Sequence, residues 1–403
     1  MADDWRRAIS FADRLTATSK MQVSIQGRTS SAAYRIANPE CSPAEASAYA
    51  KSSENIARTS ALSLQDYHEI CEKDVQFLES SVSSTHDDDQ FVDKLNLPET
   101  GLTIGRYTSV QHYKDGITSE VFRAANLDTY GPRIVALKRT SPDMIVPPHD
   151  ANREARILIA GKGPHTIPLL ETFEQAGGHL ILVFPYMPHD LGALLQAHSL
   201  IPSSRKRILK DLFSGLAHLH ALEIIHRDIK PSNILLASPT GPAYLADFGI
   251  SWMASDHASE PVNEKILDVG TTCYRPPELL FGGQNYGDKL DMWAAGCVVA
   301  QVVCLNEMTL FDAGDLGSEL ALIKSIFETL GTPDLKNWPE AAHLPDWGKM
   351  NFAKYPAKEW EEILPKADKA AVNLVQSLIA FESGERLSAK EALCHPYISA
   401  PCV

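Results

Sequence analysis

The run His226-Arg227-Asp228-Ile229-Lys230-Pro231-Ser232-Asn233 sets a carboxylate, a cation and a carboxamide on one short stretch. Lys230 lies two residues after Asp228, and Asn233 five. Phosphoryl transfer needs these types: an acceptor for a hydroxyl proton, a positive charge beside the moving group, and an oxygen ligand for Mg²⁺. A second metal-binding candidate, Asp247-Phe248-Gly249, follows fourteen residues after Asn233. Upstream, Val135-Ala136-Leu137-Lys138 ends an apolar strand on a lysine that must snorkel or find an anion. One such fragment would be noise, whereas three in this order and at these separations are not.

Strands and helices must bring these fragments together. From Ile104 to about Thr140 the pattern predicts strands at Tyr107–Val110, Val121–Ala124 and Ile134–Leu137. A helix containing Glu154 follows, then a strand pair ending in Leu180-Ile181-Leu182-Val183-Phe184. After Asp190 the chain reads as mainly helical. Ile208, Leu212, Leu216 and Leu219 form one apolar stripe, and Leu320, Ile323, Ile326 and Leu330 another. A small sheet-rich lobe followed by a larger helical lobe is an α+β layout, with a cleft between the lobes as the expected ligand site.

Residues 1–104 differ in composition, being rich in Ser, Ala and Asp. Ser42-Pro43-Ala44-Glu45 predicts a helix start with a capping box, and Ser63 a second. Ser80–Asp89 reads as a flexible linker. This extension is expected either to carry no chemistry or to dock on the domain that follows.

The bulk numbers narrow the class. At 403 residues, with 44% hydrophobic and 22% charged residues, the chain has the composition of a soluble globular protein. Its formal charge of −14 argues against general nucleic-acid binding and suits a partner bearing Lys and Arg. Seven cysteines without a C-x-x-C pair read as reduced intracellular thiols. No apolar stretch reaches the ~18 residues that span a bilayer, and the acidic N-terminus lacks a signal-peptide pattern. An intracellular location, nucleus or cytoplasm, is expected, without membrane contact. Ser204-Arg205-Lys206-Arg207 reads as a solvated helix start, and His218 and His220 lack zinc spacing.

From about residue 105 to 398 these motifs resemble the eukaryotic protein kinases, and Lys230 marks the serine/threonine version of the loop. The resemblance implies an N-lobe over about 105–184, a hinge over 185–190, a C-lobe over 191–398 and a tail over 399–403. It implies ATP and Mg²⁺ as cofactors and a protein as substrate. Asp228 would accept or orient the hydroxyl proton, and Lys230 would neutralise charge on the transferred group. Asn233 and Asp247 would hold Mg²⁺. Lys138 would bind the α/β-phosphates, positioned by Glu154, and Thr271 would help select serine or threonine. Gly116, Val121, Ala136, Phe184 and Asp190 would line the ATP site. Pro185 and Met187 would bond adenine through their backbones.

Tyr274-Arg275-Pro276-Pro277-Glu278 and Ile326-Phe327-Glu328-Thr329-Leu330-Gly331-Thr332-Pro333 are similar to segments of the cyclin-dependent kinases, in the CMGC group. There Asp291 would hold the catalytic loop, Arg386 would pair with Glu278, and Gly270 would sit where a proline after the target residue is accommodated.

Three departures stand out. The glycine-rich loop becomes Lys114-Asp115-Gly116-Ile117-Thr118-Ser119-Glu120-Val121, with one glycine of the family's three. The activation-segment threonine is replaced by Ile266, and of the three arginines that gather its phosphate Trp252 replaces one while Arg153 and Arg227 remain. The expectation is a segment ordered without that phosphate, with Asp268 or Glu264 pairing the arginines. The cyclin-binding helix motif is absent before Glu154, so cyclin dependence is not assumed. Together these losses resemble the divergent fungal kinases that activate cyclin-dependent kinases, which implies such a kinase as substrate. The rival from another class is a pseudokinase scaffold, favoured by the eroded loop and opposed by the retention of Lys138, Asp228, Asn233 and Asp247.

Overall fold

Short apolar runs of strand length build the first lobe. In the computed structural model, which describes residues 101–116, 118–127, 132–305 and 307–399, strands β1 (Thr108–Asp115), β2 (Ser119–Ala125) and β3 (Ile134–Thr140) form a meander. Helix α1 (Ala151–Ala160), β4 (Glu171–Gln175) and β5 (His179–Pro185) complete the lobe. The sheet is antiparallel in the order β1-β2-β3-β5-β4. Its core face carries Tyr107, Val110, Val135, Leu137, Ile181 and Val183, all buried. Each such side chain contributes roughly 1.5–3 kcal/mol by leaving water.

The second lobe opens with β6 (His189–Asp190), α2 (Leu191–Gln196) and α3 (Arg205–Ala221). Ile208, Leu212, Leu216 and Leu219 all face its core, as their spacing predicts. Short strands β7 (Ile224–Ile225), β8 (Ile234–Leu236), β9 (Ala243–Leu245) and β10 (Trp252–Met253) carry the loops that bear the polar motifs. They form a β6-β8-β9 sheet and a β7-β10 pair. Helices α4 (Pro277–Leu280), α5 (Lys289–Cys304) and α6 (Glu319–Leu330) follow. Beyond them lie α7 (Trp360–Ile363), α8 (Lys369–Leu378), α9 (Ala389–Cys394) and α10 (Pro396–Ser399).

The α5 helix is apolar all round, so it forms the centre of the large lobe rather than a surface face. The stripe expected on α6 is kept at Ile323 and Ile326 and widened by Leu322 and Phe327, all buried, while Leu320 is 55% exposed. Ser318 caps that helix, its side chain accepting from the Ala321 N–H, and Leu320 lies in the exposed first turn. No helix among the described residues is long and apolar enough to cross a membrane. The helix starts expected at Ser42 and Ser63, the linker over 80–89, and most of the 399–403 tail lie outside the described residues.

Candidate active site

The pleat of β3 decides which residues face the cleft. Val135 and Leu137 enter the small-lobe core, so Ala136 and Lys138 take the opposite face. Lys138 lies opposite Val121 on β2 and Leu182 on β5, and Ala136 lies opposite Phe184. The α1 helix starts at Asp150, whose side chain accepts from the N–H groups of Asn152 and Arg153. One turn later Glu154 is buried and receives Lys138 Nζ at 2.7 and 2.9 Å. The same ammonium reaches Asp247 Oδ1 at 2.8 Å.

One cation thus links strand, helix and the loop after β9. Burial opposes its charge, but Asp247 and Glu154 outweigh that and hold the Lys138 pKa above its ordinary value. Lys138 in turn holds the Asp247 carboxyl well below the usual carboxylate range. Burial pushes Glu154 upward against the pull of the same lysine. Asp247 adopts φ +65°, a left-handed backbone uncommon outside glycine and concentrated at functional sites.

The second cluster is built from below. Asp291 is fully buried on α5 and accepts from the backbone N–H of His226 at 2.8 Å and of Arg227 at 2.9 Å. His220 Nε2 adds a third contact at 2.9 Å. These bonds hold the loop through Arg227, itself at φ +70°, and so fix the backbone that carries Asp228. Asn233 Nδ2 donates to the Asp228 carbonyl at 2.8 Å and to its Oδ2 at 2.9 Å. Lys230 Nζ lies 2.8 Å from Asp228 Oδ2 and donates to Thr271 Oγ1 at 2.8 Å. Arg386 and Glu278 form a separate buried bidentate pair, both contacts at 2.6 Å, that ties α4 to the end of the domain.

Between the lobes lies a cavity of about 220 Å³. Gly116, Val121, Ala136, Lys138 and Glu154 line its upper side. Phe184, Pro185, Met187 and Asp190 line the segment joining the lobes, and Asn233 and Asp247 the floor. Asp228 and Thr271 line an adjoining depression with Gly270 and Arg275. The Asp190 Oδ1 caps α2 by accepting from the Ala193 N–H at 2.8 Å. Gly116 closes the β1–β2 turn, its N–H donating to the Ser119 carbonyl at 2.7 Å. Tyr113, Ile167, Tyr186 and Leu235 also line the cavity, and spacing alone gives no signal for them because they reach it from separate strands and loops.

The two arginines are paired otherwise than expected. Arg227 donates to Glu260 Oε1 and Oε2 at 3.2 and 3.1 Å, and Arg153 Nη1 stands 4.0 Å from Oε1. Asp268 instead meets Arg275 at 2.7 Å, and Glu264 is exposed. A lone glutamate among small and polar residues carries no motif, so only the folded path of the segment reveals Glu260.

This geometry belongs to a known class: residues 107–398 match the protein kinase domain, and the chain is a member of the protein kinase family. It is similar to the serine/threonine-protein kinase csk1 of Schizosaccharomyces pombe, 36% identical over 280 residues that cover 68% of this chain and 89% of that protein. It is also similar to cyclin-dependent kinase 20 of Danio rerio, 32% identical over 72% of this chain and 83% of that protein. The mouse protein of the same name is 31% identical over 72% of this chain and 82% of its own length. Within the family the chain is a serine/threonine kinase of the cyclin-dependent-kinase-like type.

Proposed function

We propose that the chain phosphorylates a serine or threonine hydroxyl of another protein kinase, with Mg-ATP as donor and the residues of the cleft in the roles their geometry supports. The observation that carries this reading is the network joining Asp228, Lys230, Asn233 and Thr271 beside the cavity that holds Lys138 and Asp247.

The oxygen set suits magnesium. Asp247 is ionised at any physiological pH and half exposed to the cleft, and Asn233 spends its amide hydrogens on Asp228, which leaves Oδ1 to ligate. Hard oxygen donors with water completing the shell are what Mg²⁺ takes. When bound, Mg-ATP supplies the phosphoryl group and offsets its charge. Lys138, fixed by Glu154, presents its ammonium to the anionic end of the cavity. Asp228 receives the substrate hydroxyl, accepting or orienting its proton, a contribution of about 10²–10⁴-fold in rate. Lys230 brings positive charge to the same point, and Thr271 holds Asp228 and Lys230 together.

The docking strip beside Thr271 supports a proline preference. Gly270 has φ +75°, and a Cβ there would stand 2.7 Å from the Arg227 carbonyl. Arg275 Nε takes the Gly270 carbonyl at 3.0 Å. A substrate residue docking at that strip finds no acceptor for its N–H, and proline has none to satisfy.

A cyclin-dependent kinase is the substrate favoured by the losses shared with the fungal activating kinases. The test uses the purified chain, Mg-ATP and such a kinase, with Asp228→Asn as control. Transfer by the native chain and a loss of at least about 100-fold in the variant are expected. Equal signal from both would sink the assignment.

A further inference from the structure

Two arginines from opposite sides of the cleft converge on one carboxylate. Arg227 grips both oxygens of Glu260, and Arg153 approaches one of them at 4.0 Å. In the chain Arg227 directly precedes Asp228, and Arg153 directly precedes Glu154. Each arginine is therefore one peptide from a member of the reaction centre, and Glu260 is what they share.

The surroundings are rich in positive charge. Lys265 Nζ lies 4.6 Å from the ring centre of Trp252 and 5.3 Å from that of Tyr286, and Arg227 stacks on the same tyrosine at 5.4 Å. Lys265 is buried, with its ammonium donating to the Val262 carbonyl. The Nε atoms of Arg153 and Arg227 find no hydrogen-bond partner among the described residues. Other nearby carboxylates are already engaged. Asp256 takes Arg156 at 2.6 Å, and Asp150 caps α1. Three buried cations thus share the charge of Glu260, and removing it would leave like charges out of water with only neutral carbonyls as close partners.

Trp252 contributes where a further arginine would have brought more repulsion. Its indole N–H donates to the Glu260 carbonyl at 2.9 Å, while its face receives Lys265. The ring thus pins the backbone of Glu260 and shelters the neighbouring cation at once.

We infer that Glu260 is the positioning residue of this kinase: one carboxylate from the activation segment sets the Glu154 helix and the Asp228 loop in their working register, with Trp252 and Lys265 as its clasp. The inference rests on the kinase reading above and states how that site is held together. Because the anion is part of the chain, the clasp forms as the segment folds and needs no added phosphate.

The test compares the full chain with Glu260→Ala, Glu260→Gln and Arg227→Ala. In Glu260→Ala, kcat should fall on the order of 100-fold, since small displacements of reacting groups cost that much, with a smaller change in KM for ATP. Amide exchange over residues 226–234 and 258–272 should accelerate in the same variant without nucleotide. Sodium sulfate should restore part of the activity of Glu260→Ala by filling the arginine pair, and none in Arg227→Ala. Native kcat in Glu260→Ala, or a lower kcat with unchanged exchange, overturns the inference. If Glu260→Ala does not fold, Glu260→Gln carries the same comparison, since it keeps the shape and loses the charge. Should the native chain transfer no phosphate above Asp228→Asn, the kinase reading falls, while the exchange data still decide the role of Glu260.

Discussion

The Thr271 hydroxyl donates to Asp228 Oδ1 at 2.8 Å, and the Thr271 backbone N–H reaches the same oxygen at 3.0 Å. The hydroxyl also accepts from Lys230, so one side chain holds an acid and a base of the site in fixed relation. Thr271→Ser keeps the oxygen and should retain most activity. Thr271→Val keeps the volume but removes both side-chain bonds, and kcat should drop on the order of 100-fold. Steady-state phosphate transfer by the two variants checks this, and equal rates would contradict it.

The Lys138–Asp247 pair predicts a dependence of stability on pH. Asp247 has a folded pKa below its unfolded value because Lys138 stands beside it. Its contribution is therefore present above the unfolded carboxylate pKa of about 3.9 and is lost as pH falls toward the folded value. Lys138→Met removes the cause, so melting temperature should fall less steeply between about pH 5 and pH 3 than in the native chain. The same variant should lose nearly all phosphate transfer. Parallel melting curves across that range would contradict the assignment.

Arg275 should control the residue accepted after the target hydroxyl. Its Nε occupies the Gly270 carbonyl, and its other nitrogens meet Asp268 at 2.7 Å and Glu319 at 2.6 Å. The native chain should prefer Ser-Pro to Ser-Ala peptides. Arg275→Ala frees that carbonyl for an incoming N–H, and the ratio of kcat/KM values should shrink by about 10-fold, the worth of one hydrogen bond. Peptide pairs differing only at that residue measure it.

Arg386 and Glu278 are buried and joined by two contacts of 2.6 Å. Arg386 also donates to the carbonyls of Ala380, Lys289 and Phe381. Arg386→Ala leaves Glu278 charged and unpartnered, and should cost about 3–5 kcal/mol of stability. Replacing both by apolar residues of similar volume should cost less than that single change. Denaturant midpoints of the single and double variants decide the point.

Much of this molecule was legible in local pattern. The strands flanking Lys138 follow from short apolar runs rich in β-branched residues, the α3 face from its 3.6-residue period, and the order of Lys138, Asp228, Asn233 and Asp247 from motifs whose residue types match one chemistry. The α6 stripe holds at Ile323 and Ile326 and misses at Leu320, which is exposed in the first turn while Leu322 and Phe327 are buried. The sequence offers Asp268 or Glu264 as the partner of the arginines. The folded path of the segment brings Glu260 instead, and turns Asp268 toward Arg275.

The sequence by itself determined the chemical vocabulary: which side chains are present, their order along the chain, and the two kinds of secondary structure that carry them. Only the tertiary structure decided which of those side chains meet. Local periodicity is set by neighbours a few residues apart, whereas a contact such as Glu260 with Arg153 and Arg227 joins residues 107 and 33 positions apart. Which carboxylate fills that place depends on the course of a loop packed against Trp252 and Tyr286, and burial of the three cations makes the choice energetically sharp.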